Sequence, residues 1–121
     1  MKIDLKGTTR IVFIFKYIVI KIPNFIYEHS HFLIGCQSNW EERKYYKLHI
    51  NTFYENNLVQ FVAPSLWCSW FGLIQIQVKC EPLLRDLTED ERNFFELLCN
   101  GDNKKENFGW YKDKLVCVDY A

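Results

Sequence analysis

The fold class is decided by Thr9-Arg10-Ile11-Val12-Phe13-Ile14-Phe15 and, after Lys16, by Tyr17-Ile18-Val19-Ile20-Lys21-Ile22. Both stretches consist mainly of β-branched and aromatic residues, which favour strands over helices, and Pro23 ends the second one. Because only Lys16 separates the two strands, the hairpin turn must also include residues from their ends. No Asn-Gly or Asp-Gly marks that turn, so the sequence leaves the register of the hairpin open.

The segment after this hairpin predicts a helix that runs to Leu48. Ser38 or Asn39 can cap its start, because a side-chain oxygen there accepts a hydrogen bond from a free backbone N–H. Glu41 and Glu42 then fall in the first turn, where carboxylates suit the helix dipole.

The rest of the chain predicts further strands and a second helix. We expect strands in residues 58–66 and 72–78, the latter because apolar residues alternate with glutamines. Thr88 and Glu91 have the spacing of a capping box that begins a helix, and a last strand is expected at 114–118. This order of elements predicts an α+β fold.

Composition and charge restrict the class of protein. A chain of 121 residues, of which 49% are hydrophobic, predicts a single domain with one core. The 15 basic and 15 acidic residues balance, which gives no electrostatic reason to expect nucleic-acid binding. No stretch has the length of a membrane span or the pattern of a signal peptide. Five scattered cysteines without a C-x-x-C pair predict reduced thiols rather than zinc ligands, and hence a cytoplasmic protein.

Lys21 and the two glutamates of the first helix form one candidate site. A lysine in an apolar strand is costly to bury unless it is paired. Glu41 or Glu42 can supply the partner across the sheet. The plainer interpretation is a solvent-facing lysine at a strand end and two helix-start charges.

Asp102, Asn107 and Asp119 form a second candidate site. The first two lie in a polar loop, and the third follows the last predicted strand. Carboxylate and amide oxygens are the ligands that Mg²⁺ prefers, with phosphates completing its coordination. Taken alone, Asp and Asn in a loop are more often turn formers.

In order and spacing these groups resemble the motifs of the protein-kinase-like superfamily, including its divergent bacterial and phage members. Val19-Ile20-Lys21 resembles the end of the V-A-I-K motif, and Glu42 resembles the helical partner of that lysine. We prefer Glu42 to Glu41 because Asn39-Trp40-Glu41-Glu42 is similar to an N-x-x-E pattern of phage-type members.

The second candidate site completes this resemblance. The interval from Asp102 to Asn107 matches the catalytic loop H-R-D-x-x-x-x-N, and Asp119-Tyr120-Ala121 takes the place of D-F-G. The resemblance implies one domain, residues 1–121, with a kinase-like N-lobe (an antiparallel sheet plus one helix) in 1–80. Residues 81–121 then form a truncated C-lobe that ends at the D-F-G-like motif.

The resemblance also implies the roles of these residues. Lys21, oriented by Glu42, would hold the α- and β-phosphates of ATP. Asn107 and Asp119 would hold Mg²⁺, and Asp102 would orient the attacking hydroxyl and accept its proton. Glu81, at the end of the strand that enters the hinge, would lie near the adenine-binding edge.

The sequence departs from the family's pattern at several positions. Asn100 and Gly101 replace the His and Arg of the catalytic loop, Ala121 replaces the D-F-G glycine, and the glycine-rich loop is reduced to Gly7-Thr8-Thr9. Two functions therefore stay open. One is a minimal phosphotransferase that acts on a protein or small-molecule hydroxyl. The other is a phage-encoded, inactive pseudokinase-type protein or inhibitor that binds a host protein. For both we expect a protein partner or a second copy of the chain, and neither nucleic acid nor membrane.

Overall fold

The computed structural model describes residues 1–5, 9–26, 29–50, 62–95 and 104–120. Within these ranges the elements are β1 (Lys2–Asp4), β2 (Arg10–Ile14), β3 (Ile18–Pro23), α1 (His29–Ile50), β4 (Ser65–Cys68), β5 (Gln75–Val78), β6 (Glu81–Pro82), α2 (Glu89–Phe94), β7 (Phe108–Tyr111) and β8 (Lys114–Cys117). Their order confirms the predicted α+β class. Neither of these two helices is long and apolar enough to cross a membrane.

Five strands form the first sheet, in the order β1-β2-β3-β5-β4, with every neighbouring pair antiparallel. The β2–β3 hairpin pairs Arg10 with Pro23 and Ile14 with Val19. Its turn is closed by the Phe15 N–H, which donates to the Ile18 carbonyl at 2.9 Å. The turn thus takes residues from both predicted strands, as the short spacing at Lys16 required.

Helix α1 begins at His29, so the predicted start at Ser38 or Asn39 is wrong. Asn39, Glu41 and Glu42 lie inside this 22-residue helix rather than in its first turn. The Asn39 side chain donates to the carbonyl of Lys21 on β3 and to that of Gly72, which precedes β5, rather than capping the helix backbone. Tertiary partners therefore override the local capping preference of asparagine.

Gly35 allows α1 to pass close to the first sheet. A Cβ atom at this position would lie 2.2 Å from the Thr9 carbonyl oxygen and 2.8 Å from the Pro23 Cα atom. Only glycine leaves room for that approach. The close packing brings the side chains on one face of α1 within hydrogen-bonding distance of β2, β3 and β5.

Other sequence predictions are confirmed or changed in detail. The capping box of α2 is confirmed: Glu91 N–H donates to Thr88 Oγ1 at 3.2 Å, and Thr88 N–H donates to Glu91 Oε1 at 2.9 Å. The strand predicted for 72–78 starts only at Gln75, because Trp70–Gly72 form a 3₁₀ turn. Of the strand predicted for 58–66, residues up to 61 lie outside the described part.

The second sheet has three strands in the order β6-β7-β8, and Phe95, the residue directly after α2, packs against Phe108 of β7. Its apolar core consists of Val62, Leu83, Leu87, Phe95, Phe108, Cys117 and Tyr120. Two hydrogen bonds join it to the segment before β4: Ala63 N–H donates to the Cys117 carbonyl at 2.8 Å, and Tyr120 O–H donates to the Ala63 carbonyl at 3.0 Å.

The prediction of reduced thiols is confirmed for only some of the described cysteines. Cys36, Cys68 and Cys80 are free thiols, whereas Cys117 is disulfide-bonded. The prediction is therefore wrong at Cys117, because the spacing of scattered cysteines does not show which of them meet in the fold.

Candidate functional site: a buried charge cluster

Four charged side chains meet between the first sheet and α1, and we call them the charge cluster: Arg10, Lys21, Glu42 and Asp119. Their side chains are 8%, 7%, 0% and 47% exposed, respectively. Two cations and one carboxylate are thus removed from water, while Asp119, which follows β8, stays open to solvent. The plainer interpretation of Lys21, a solvent-facing strand end, is wrong.

Glu42 is the centre of the charge cluster. Its Oε1 atom accepts hydrogen bonds from Arg10 Nη1 at 2.7 Å, Lys21 Nζ at 3.1 Å and Gln75 Nε2 at 2.9 Å. Its Oε2 atom accepts from Arg10 Nη2 at 3.1 Å and from the Tyr120 backbone N–H at 3.0 Å. A buried carboxylate is tolerated only with this kind of complete hydrogen bonding.

Asn39, one helical turn before Glu42, holds the neighbouring backbone in place. Its Nδ2 atom donates to the carbonyl oxygens of Lys21 at 3.0 Å and Gly72 at 2.9 Å. Its Oδ1 atom accepts from Arg10 Nη1 at 3.1 Å and Gln75 Nε2 at 3.2 Å. Both ends of this amide are therefore satisfied, and such networks make a site rigid.

Burial and charge act in opposite directions on the acids and bases of the cluster. Burial alone would raise the pKa of the Glu42 carboxyl, but Arg10 and Lys21 outweigh it and hold that pKa well below its usual range. Burial lowers the pKa of the Lys21 ammonium; Glu42 opposes this shift and Arg10 adds to it. Lys21 thus shares the Glu42 carboxylate with Arg10, whereas Glu42 has two cations beside it.

The structure brings the predicted pair Lys21 and Glu42 into contact, with 3.1 Å between Nζ and Oε1. Of the two candidate glutamates, Glu41 is exposed and its Oε1 atom accepts from Gln37 Nε2 at 3.0 Å. Glu42 is therefore the residue that faces Lys21. The predicted role of this pair in binding phosphates stays a prediction.

Asn107 and Asp119 are held near Lys21 by the backbone between them. Val118 N–H donates to the Asn107 carbonyl at 2.8 Å, and the Val118 carbonyl accepts from Lys21 Nζ at 2.7 Å. The lysine thus binds the residue directly before Asp119.

Glu81, another predicted site residue, is not part of this arrangement. Glu81 is exposed in β6, where its carboxylate lies 3.7 Å from Lys79 Nζ. Asp102 lies outside the described residues.

Sequence reasoning missed Arg10, whose Nη2 atom lies 2.5 Å from Asp119 Oδ1. In the sheet Lys21 pairs with Val12, so Arg10 and Lys21 stand diagonally across two strands on one face. A known hairpin register would have revealed this pairing of two cations. The sequence left that register open.

The donor atoms of Asp119 and Asn107 match the chemistry of Mg²⁺, which takes carboxylate and amide oxygens. Among the described residues, His, Cys, Asp and Glu side chains form no group of three or more that could hold a metal ion. The donors therefore fit the cation in type, and substrate phosphates would have to complete its coordination. Arg10 already engages one oxygen of Asp119.

A separate apolar groove of about 410 Å³ lies between α1 and the 3₁₀ turn. It is lined by Cys36, Gln37, Trp40, Trp70 and Phe71. Gly72, at a φ of 68°, lets the turn pack on the helix, since a Cβ atom there would lie 1.9 Å from the Cys36 carbonyl oxygen.

Comparisons of the chain with protein-family models, with curated proteins and with solved structures found no match. The chemistry of the charge cluster is therefore inferred from its own residues.

Proposed function

We propose that this chain is a minimal kinase-like protein that binds ATP together with Mg²⁺ at the charge cluster. The observation that carries the proposal is the ion pair between Lys21 in β3 and Glu42 in the following helix, next to Asp119. Protein kinases place a lysine on their third strand, pair it with a glutamate of the next helix, and hold Mg²⁺ with the D-F-G aspartate. The antiparallel first sheet with one main helix is compatible with a small N-lobe of that type.

Each residue of the cluster has a role that follows from its chemistry. Lys21 would contact the nucleotide phosphates, and Glu42 keeps its ammonium at a fixed position. Asp119 and Asn107 would hold Mg²⁺, which neutralises phosphate charge when it is bound. Such a site acts by positioning and electrostatics, so loss of one charged group has a large effect.

Calorimetry with ATP and Mg²⁺ tests the proposal. We expect wild type to bind and Glu42→Gln and Asp119→Asn to bind at least about tenfold more weakly, because a lost charge–charge contact is worth over a kilocalorie per mole. Glu41→Gln is the matched control, since it removes an exposed carboxylate one residue away and should leave binding unchanged. Folded wild-type protein that gives no binding heat would refute the proposal.

Phosphate transfer is the second part of the proposal, to a protein or small-molecule hydroxyl. Incubation with γ-labelled ATP should label an acceptor, either a partner or the chain itself. Asp102→Asn should abolish the label while ATP binding persists, because the aspartate acts on the acceptor hydroxyl. Binding without transfer by wild type would restrict the function to nucleotide binding.

A second candidate is an inactive, pseudokinase-type protein that binds a partner protein. Two observations favour it: Arg10 already neutralises Asp119, and Trp70 and Phe71 are 82% and 78% exposed beside the apolar groove. Exposed aromatic patches of this kind mark interaction surfaces. In that case wild type gives no ATP heat, and Trp70→Ser weakens the partner complex or self-association, measured by sedimentation velocity, without changing the fold.

A further inference from the structure

We propose that the Arg10 guanidinium is a permanent positive charge of the site. Because of this charge, Asp119 binds a divalent cation only together with a polyphosphate. This inference rests on the proposed function. It adds a reason why the site binds a divalent cation with a polyphosphate and not the cation alone. Arg10 holds two carboxylates at once: Nη1 and Nη2 contact Glu42 at 2.7 and 3.1 Å, and Nη2 contacts Asp119 at 2.5 Å.

The two contacts of Arg10 differ in how readily they can be exchanged. The Glu42 side chain is fully buried, whereas that of Asp119 is 47% exposed. Water or a cation can therefore replace the guanidinium at Asp119 but not at Glu42. After leaving Asp119, Arg10 keeps its bonds to Glu42 and its 3.1 Å bond to Asn39, so it stays within the site.

The charge of the cluster explains the selectivity. Two cations and two carboxylates leave the site neutral. A bare divalent cation at Asp119 places two further positive charges beside a guanidinium and an ammonium, and the short distances make this repulsion strong. The phosphates of a nucleoside di- or triphosphate bring the negative charge that offsets it. Arg10 thus suppresses binding of the metal alone.

Electron paramagnetic resonance with Mn²⁺, a spectroscopic substitute for Mg²⁺, tests this directly and needs no turnover. We expect wild type to bind free Mn²⁺ weakly and Mn²⁺ with ATP more tightly. Arg10→Gln, which keeps hydrogen-bonding groups but loses the charge, should bind free Mn²⁺ about tenfold more tightly than wild type. Arg43→Gln is the control, because Arg43 also lies on the sheet side of α1 and donates to the Ser65 carbonyl without contacting Asp119.

The outcomes separate this inference from the proposed function. If wild type binds Mn²⁺ with ATP, and folded Arg10→Gln binds free Mn²⁺ no more tightly than wild type or Arg43→Gln, the inference is wrong and the proposed function stands. If no variant binds Mn²⁺ with or without ATP, both are wrong.

A measurement on wild type covers the case in which Arg10→Gln does not fold. Guanidinium NMR signals of Arg10 should change when Mg²⁺ and ATP are added together, and change much less with Mg²⁺ alone. Arg10 signals that do not respond to Mg²⁺ with ATP, under conditions where calorimetry shows binding, would overturn the inference.

Discussion

The interior under the first sheet and the interior beside the second sheet are filled in opposite ways. Beneath the first sheet the buried side chains are largely polar: Arg10, Lys21, Asn39, Glu42, Ser65, Gln75 and Gln77. Beside the second sheet they are aliphatic and aromatic, among them Leu83, Leu87, Phe95 and Phe108. Apolar packing of equal volume is often as stabilising as a buried ion cluster, or more so. Stability alone therefore does not account for the polar interior.

The difference also predicts how substitutions lower the stability of each interior. In the charge cluster every group depends on its partners, so removal of one leaves uncompensated charge. In the apolar core the loss is set by the volume that is removed. The following changes test this contrast, from the largest expected effect to the smallest.

Glu42→Ala should have the largest effect on stability. It leaves Arg10 and Lys21 buried with only half-exposed Asp119 as counter-ion, and breaking a buried ion pair in this way costs about 3–5 kcal/mol of unfolding free energy. Urea denaturation monitored by tryptophan fluorescence measures the loss. Glu41→Ala, at the exposed neighbouring position, should change stability by no more than about 0.5 kcal/mol. Equal effects of the two variants would contradict the central role of Glu42.

Leu83→Ala should cost about 3 kcal/mol, because Leu83 is only 5% exposed within the apolar core and its truncation leaves a cavity. Leu84→Ala is the matched control, since Leu84 is 85% exposed and should contribute about 0.5 kcal/mol or less. The same denaturation experiment applies. If the two interiors are independent, the losses of Leu83→Ala and Arg10→Gln add in the double variant; a clear departure from additivity would show that they are coupled.

Acid should weaken the charge cluster by a smaller amount than truncation, since a protonated Glu42 still fills its space. The folded-state pKa of Glu42 lies below its ordinary value of 4.5, so its stabilising contribution is complete above that pH. The contribution is lost as the pH falls below 4.5 toward the folded-state pKa. Unfolding free energies measured from pH 7 to pH 3 should therefore decline more steeply for wild type than for Glu42→Gln. Parallel curves would be incompatible with a charged Glu42.

Thr88→Ala should have the smallest effect, about 1 kcal/mol, because it removes one half of the exposed capping box of α2. Thermal unfolding by circular dichroism measures it. Thr88→Ser keeps the hydroxyl and should restore most of the loss. A loss as large as that of Glu42→Ala would mean that α2 contributes far more to folding than its exposed surface indicates.

Local patterns predicted much of the fold and one contact of the site. The hairpin and the capping box of α2 follow from residue type and order, whereas the preference for Glu42 over Glu41 as the partner of Lys21 rests on the resemblance to an N-x-x-E pattern. The start of α1 does not follow in this way, because Asn39 has the residue type of a cap but donates instead to the carbonyls of Lys21 and Gly72. Arg10 was missed because its importance depends on the hairpin register, which its turn does not specify.

The charge cluster also has a consequence for the order in which the chain folds. Arg10, Lys21 and Glu42 come from the first half of the chain, but Asp119 lies 109 residues after Arg10. A nascent chain that has made β2, β3 and α1 therefore holds two cations of the cluster against one carboxylate until Asp119 is made. Contacts of such long separation form late and slowly. During synthesis the charge cluster should therefore be completed only after Asp119 has been made, which pulse-labelled translation with limited proteolysis can follow.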